Sequence, residues 1–202
     1  MTVDAGLRER KKQRTRQALI DAAVRLFNER GYDQTTVADI AAAAELSTRT
    51  FFLHFPTKEA VVFADDRGRL DAGLAAIAGR RPGESASETL LKAMSEMIDH
   101  VARTDLLSGL GSLRAQLLLT TPALQHAMVG RLVVAQTAFV EAVQRSYPNE
   151  FDDIEAAAIV GAIIGAIYST VAETIRRGGT ASELREAMLR AARIGVQCIP
   201  ER

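Results

Sequence analysis

The chain has 202 residues, 48% of them hydrophobic and 25% charged, the composition of a folded globular protein and not of a disordered one. Its 25 Lys and Arg balance 25 Asp and Glu, a sum that at first argues against a strongly basic nucleic-acid binder. One cysteine, Cys198, and three histidines exclude an internal disulfide and any cluster at metal-ligand spacing, so neither metal nor cofactor is expected.

The first residues hold no apolar run, so no signal peptide is expected and a cytoplasmic address is the default. Alanine-rich apolar residues recur at spacings of three and four, with no sustained alternation of β-branched and polar residues, and this predicts an all-α fold. The first helix is predicted over 8–30, because Leu19, Ala22, Ala23, Leu26 and Phe27 share a face and Gly31 supplies a left-handed stop. Its start carries Arg8, Arg10, Lys11, Lys12, Arg14 and Arg16 against Asp4 and Glu9. Such a cluster is what phosphate neutralisation needs, and a solvated helix face accounts for it equally.

Thr36 with Asp39 forms an approximate capping box for a short helix carrying Val37, Ile40, Ala41 and Ala44. After Glu45-Leu46, Ser47 caps a segment from Thr48 to Phe55 that stops before Pro56. Two short helices across a tight turn make a helix-turn-helix candidate. Thr57 then caps a single long helix expected over 58–78, ended by Gly79. Further helices are predicted over 87–103, capped by Ser87, over 105–119, over 122–146 behind Thr121-Pro122, over 152–177 and over 181–198 behind a Thr180/Glu183 capping box. That makes about nine helices.

The stretch Thr36 to Glu59, above all Ser47-Thr-Arg-Thr-Phe-Phe-Leu-His-Phe-Pro-Thr-Lys-Glu59, resembles the DNA-binding region of the tetracycline-repressor (TetR-like) family, and the resemblance reaches back to Leu26-Phe27 and Arg30-Gly31-Tyr32. It implies a helix-turn-helix DNA-binding domain over 1–56 and a ligand-binding and dimerisation domain over 57–202. By position it implies that Thr48, Arg49, Phe52 and Leu53, with Thr50 nearby, approach bases, and that Thr36, Ser47, His54 and Lys58 hold phosphates. Arg49 can donate bidentately to guanine, while Phe51 and Phe55 supply the buried face that a recognition helix needs. Two positions depart from the family: Phe52 stands where tyrosine is frequent, and Glu45 where the turn usually has glycine.

Ala156 to Ala172 is free of charged residues. It falls short of the roughly 20 apolar residues of a membrane span, so no membrane partner is expected, and a helix apolar on nearly all sides is expected to lie buried between helices. The resemblance implies that the last two helices pair across a two-fold axis as a homodimer. It also implies a small-molecule effector, for which Met94, Met97, Met128, Phe139 and Tyr168 are candidate lining residues, although core packing explains each of them as well. No catalytic constellation is found: Glu96 and His100 stand alone, and no enzyme is expected.

The functional expectation is a regulator, most simply a repressor, that binds double-stranded operator DNA and is released by a small molecule. The alternative from another class is a helical protein-protein adaptor. The zero net charge divides usefully, since residues 1–60 hold 10 cations against 8 anions, with the excess at the very start. A modestly basic head on a slightly acidic body depends on specific contacts and tolerates little salt.

Overall fold

A computed structural model describes residues 2–108 and 110–199, without the side chains of 2–5, 102, 104–108, 110, 112, 115 and 119. The described residues are helical throughout, in the order α1 (Thr2–Arg30), α2 (Val37–Ala43), α3 (Thr48–His54), α4 (Glu59–Val62), α5 (Asp66–Ala78), α6 (Ala86–Ser108), α7 (Leu110–Thr120), α8 (Pro122–Ser146), α9 (Asp153–Arg176) and α10 (Ala181–Val196). They form two compact units, residues 1–64 with 106–117, and residues 65–105 with 118–202.

The elements follow the expected order with four corrections. Helix α1 starts at Thr2 and not near residue 8, because the arginines, lysines and glutamines of the basic stretch are good helix formers. The long helix expected over 58–78 is broken between Val62 and Asp66. Val61, Val62 and Phe63 are all buried, and three consecutive side chains spread over some 200° of a helix cannot all face one core, so the chain turns there. Helix α6 is capped by Ser85 and not Ser87: the Ser85 hydroxyl accepts from the Glu88 N–H at 3.2 Å, and the Glu88 carboxylate accepts from the Ser85 N–H at 3.0 Å. The helix expected to begin at Asp105 begins later, since α6 runs on to Ser108; Gly109 lies outside the described residues.

In the smaller unit α1 lays Leu19, Ala23, Leu26 and Phe27 against Ile40 and Ala41 of α2 and Phe51 and Phe55 at α3, all buried. The larger unit has one core, in which Ile77 of α5, Leu90 and Met94 of α6, Phe139 and Val143 of α8, Ile159 and Ile163 of α9 and Ala192 of α10 pack together. Helices α8 and α9 run antiparallel, tied by a 2.7 Å bond from Gln144 to Asp153. Helices α9 and α10 approach so closely that a Cβ on Gly195 would stand 2.8 Å from the Cα of Ile163. Gly178, at φ 74°, ends α9: the N–H groups of Gly178 and Gly179 reach the carbonyls of Ile175 and Thr174 at 2.9 and 3.0 Å.

Helix α9 contradicts the expectation of burial on nearly all sides. Its buried residues are Ala156, Ile159, Val160 and Ile163, and none of residues 164–176 is buried. By length and composition it is the one described helix able to cross a membrane, but its first half is built into the core just described.

Candidate nucleic-acid interface

The turn between α2 and α3 carries the departure at Glu45. The N–H of Glu45 donates to Ala42 O at 3.0 Å and that of Leu46 to Ala41 O at 2.8 Å, the paired bonds of a Schellman stop that requires a left-handed residue between them. Glu45 takes that conformation at φ 57°, so the tight turn persists without glycine. Ser47 then opens α3: its hydroxyl accepts from the Thr50 N–H at 3.1 Å and lies 2.9 Å from the Thr50 hydroxyl. Thr36 does the same for α2, accepting from the Asp39 N–H at 3.1 Å while its hydroxyl and N–H donate to the Asp39 carboxylate at 2.6 and 2.9 Å. Those bonds hold the Asp39 carboxyl below the usual range.

Helix α3 divides sharply into two faces. Phe51 and the C-cap Phe55 are buried, with ring centres 5.7 Å apart. The Arg16 guanidinium sits 4.4 Å above the Phe55 ring and donates to the Ala64 carbonyl, fixing α3 against α1. On the other face Thr48 and Arg49 are exposed, Phe52 is 56% exposed and Leu53 74%. An aromatic and an aliphatic side chain left in water beside a guanidinium do nothing for the stability of this unit. This row can meet base edges and thymine methyl groups in a major groove.

His54 is half-buried, and its Nδ1 is enclosed without a hydrogen-bond partner. Desolvation, then the charges of Arg16 and Lys12, hold its pKa below the ordinary histidine value, so the ring is neutral at pH 7.

Lys58 sits differently from a phosphate ligand facing solvent. Its ammonium turns inward, donating to the carbonyls of Tyr32 at 2.8 Å and Thr35 at 3.0 Å and lying 4.0 Å from the Tyr32 ring centre. Beside it the Tyr32 hydroxyl donates to Glu59 at 2.8 Å. Burial, then the Glu59 hydrogen bond and charge, push the Tyr32 phenol well up. Burial opposes ionisation of Glu59, but hydrogen bonds from its own N–H, Tyr32 and Thr57, with the Lys58 charge, outweigh it and hold the carboxyl below the usual range. The buried Thr35 completes the clamp, its hydroxyl donating to Gly31 O at 2.8 Å. Sequence reasoning missed this clamp because its members lie 23 to 27 positions apart; the only local signal was a Tyr after the helix-ending glycine.

Of the five candidate effector-lining residues, three come together. Met94 and Phe139 are buried in the core of the larger unit, and Met97 packs against it. Met97 Cγ and Sδ and Phe139 Cζ lie 2.7 Å from where a Cβ on Gly73 would stand, so they occupy the space that this glycine leaves. Met128 and Tyr168 lie outside that cluster, and Tyr168 is 44% exposed. Sequence reasoning also missed two charge pairings here. His100 Nε2 lies 2.8 Å from an Asp65 carboxylate oxygen, and Asp66 accepts Arg69 at 2.9 Å and Arg131 at 3.0 Å. Among the described residues no group of acidic, His and Cys side chains could hold a metal.

Comparison with known proteins agrees with this division of the chain. Residues 19–64 match the model for bacterial regulatory proteins of the tetR family, and residues 84–197 match that for the MftR C-terminal domain. The regulator TcmR of Streptomyces glaucescens is 42% identical over 96 residues, 48% of this chain and 42% of TcmR. The repressor KstR2 of Rhodococcus jostii is 45% identical over 60 residues, 30% of this chain and 29% of KstR2. These matches thus span less than half of either relative. Two solved structures share the fold: the SmeT–triclosan complex, with TM-score 0.62 and 16% identity over 91% of this chain and 90% of that one, and Thermus thermophilus FadR with lauroyl-CoA, with TM-score 0.57 and 22% identity over 93% and 96%. An exposed reading row on a capped seven-residue helix, matched family models at both ends and regulators among the relatives place this chain in the tetR family of transcriptional regulators, which are not enzymes.

Proposed function

We propose that the protein is a ligand-responsive repressor that binds a palindromic operator as a homodimer and is released by a small molecule. The observation that carries this reading is the solvent-facing row of Thr48, Arg49, Phe52 and Leu53 on a helix whose opposite face is fully buried. Residues 1–56 act as the head: Thr48, Arg49, Thr50, Phe52 and Leu53 read bases, while Thr36, Ser47, His54 and Lys58 serve the backbone. The hydroxyls of Thr36 and Ser47 already cap α2 and α3, so those caps also aim the helix N-termini at phosphates.

Residues 57–202 dimerise and bind the effector. Support for a second copy comes from α9, where Tyr168 is exposed and a Cβ on Gly165 would meet nothing within 4 Å, and from the exposed Ile194 of α10. An apolar helix half uncovered in a lone chain is the kind of surface that a two-fold partner covers. The effector is an apolar small molecule that enters beside Gly73 by displacing Met97 and Phe139 over Met94, with Met128 and Tyr168 on its path. The lauroyl-CoA of FadR and the triclosan of SmeT are both largely apolar, and methionine repacks readily. A protein acting on cytoplasmic DNA needs no membrane partner.

Selection of bound sites from random DNA tests the reading. The expected result is a palindrome with half-sites about 34–36 Å apart; recovery of no common sequence refutes it. Arg49→Ala should flatten the preference at one base pair per half-site at a cost of about 1–3 kcal/mol, and an unchanged profile would remove Arg49 from base readout.

A further inference from the structure

Helix α1 is longer than the unit it helps to build. Its buried residues start at Leu19, and every residue from Leu7 to Arg14 is exposed. At 100° per residue, Arg8, Lys12 and Arg16 continue, one turn at a time, the same face that carries Leu19, Ala23, Leu26 and Phe27 against the other helices. The stripe that is apolar where α1 has neighbours is cationic where it overhangs them. Arg10 and Arg14 fall on the opposite side.

Arg16 fixes the direction of this stripe, because its guanidinium is held over Phe55 and bonded to Ala64. Lys12 lies one turn further out on that line, close enough to His54, at the last turn of α3, for its charge to be felt there. Arg8 lies another turn, about 6 Å, beyond. The overhang therefore runs past the C-terminal end of the reading helix with its charges turned to the side where α3 lies. A packing role does not explain this, since exposed cations add little to stability.

We infer that the overhanging part of α1 is a second DNA-contacting element, in which Arg8 and Lys12 hold backbone phosphates flanking the bases read by α3. The inference rests on the operator-binding reading above and extends the footprint beyond the helix-turn-helix. The ligand is the DNA backbone, so these contacts add affinity and salt dependence without sequence preference.

The test compares two double variants that remove the same charge from opposite sides of α1, R8Q/K12Q and R10Q/R14Q, each checked for an unchanged melting curve. Operator affinity is measured across a salt series. R8Q/K12Q should make the slope of log K against log salt shallower by about 1.8, at about 0.9 per phosphate, with the selected base sequence unchanged. R10Q/R14Q should leave the slope within about 0.5 of the parent, since it removes no such contact. An unchanged slope in R8Q/K12Q, or an equal change in both variants, overturns the inference and leaves operator binding intact. A parent protein without sequence-selective binding overturns both.

Discussion

Lys58 tests whether the head is held together by the same cation that its position in the family assigns to phosphate. Replacing it with methionine keeps the aliphatic stem and removes the ammonium, with its bonds of 2.8 and 3.0 Å to the Tyr32 and Thr35 carbonyls and its place over the Tyr32 ring. Charge-assisted bonds contribute about 1.5–3 kcal/mol each, and a partly exposed cation–π contact about 0.5–1. Water reaches the half-buried site and recovers part of this, so Lys58→Met should cost about 2–4 kcal/mol of stability in the smaller unit. Chemical denaturation followed by the fluorescence of Tyr32, with Tyr147 and Tyr168 as background, reads this directly, and a salt series of operator binding at a temperature where the variant is folded reads the rest. The two roles separate cleanly. If stability is unchanged while the salt slope falls by about 0.9, Lys58 is a phosphate ligand and the clamp reasoning is wrong.

Two other predictions concern pH and assembly. The His54 pKa is depressed by burial and by Arg16 and Lys12, so the unfolded chain binds the proton more readily, and the stabilisation, complete above the unfolded value of about 6.5, is lost as pH falls from there through the folded value. A phosphate beside the ring reverses the preference. Operator affinity should therefore rise by up to about tenfold per pH unit between pH 7 and 6 while the free protein loses stability, and this rise should vanish in His54→Gln; a pH-independent affinity in the parent denies His54 a phosphate. Gly165→Leu places a bulky group on the uncovered face of α9 and should weaken the dimer by about 1–3 kcal/mol, seen as dissociation in light scattering on dilution. A parent-like mass at every concentration would put the two-fold contact elsewhere.

What was legible in the sequence was local. The Thr36/Asp39 and Thr180/Glu183 boxes, the Ser47 cap and the stop at Gly31 each depend on residues within one turn, so spacing alone identifies them. Ser85-Ala-Ser-Glu88 carried the same signal, and the choice of Ser87 overlooked the glutamate three positions after Ser85. The break after Val62 was less accessible, because no glycine or proline marks it and three consecutive apolar residues also suit a strongly buried helix. The Tyr32–Glu59–Lys58 clamp and the Asp66–Arg69–Arg131 pairing depend on which charged residues of distant helices meet. Hydrophobic periodicity orders the helices but does not report their charged contacts. At the reading helix the resemblance supplied the residues, and the structure supplied the reason that Phe52 and Leu53 differ from Phe51 and Phe55.

The left-handed Glu45 gives the turn a second consequence. A side chain in that conformation costs roughly 1–2 kcal/mol relative to glycine, and here it also sets an exposed carboxylate two residues before the cap of the reading helix, where it repels a polyanion. Both effects lower the occupancy of every DNA sequence alike and neither distinguishes one base from another. Glu45 thus works as an attenuator, and the protein can be adjusted for how long it stays on DNA at one position while the choice of where it binds is made at others.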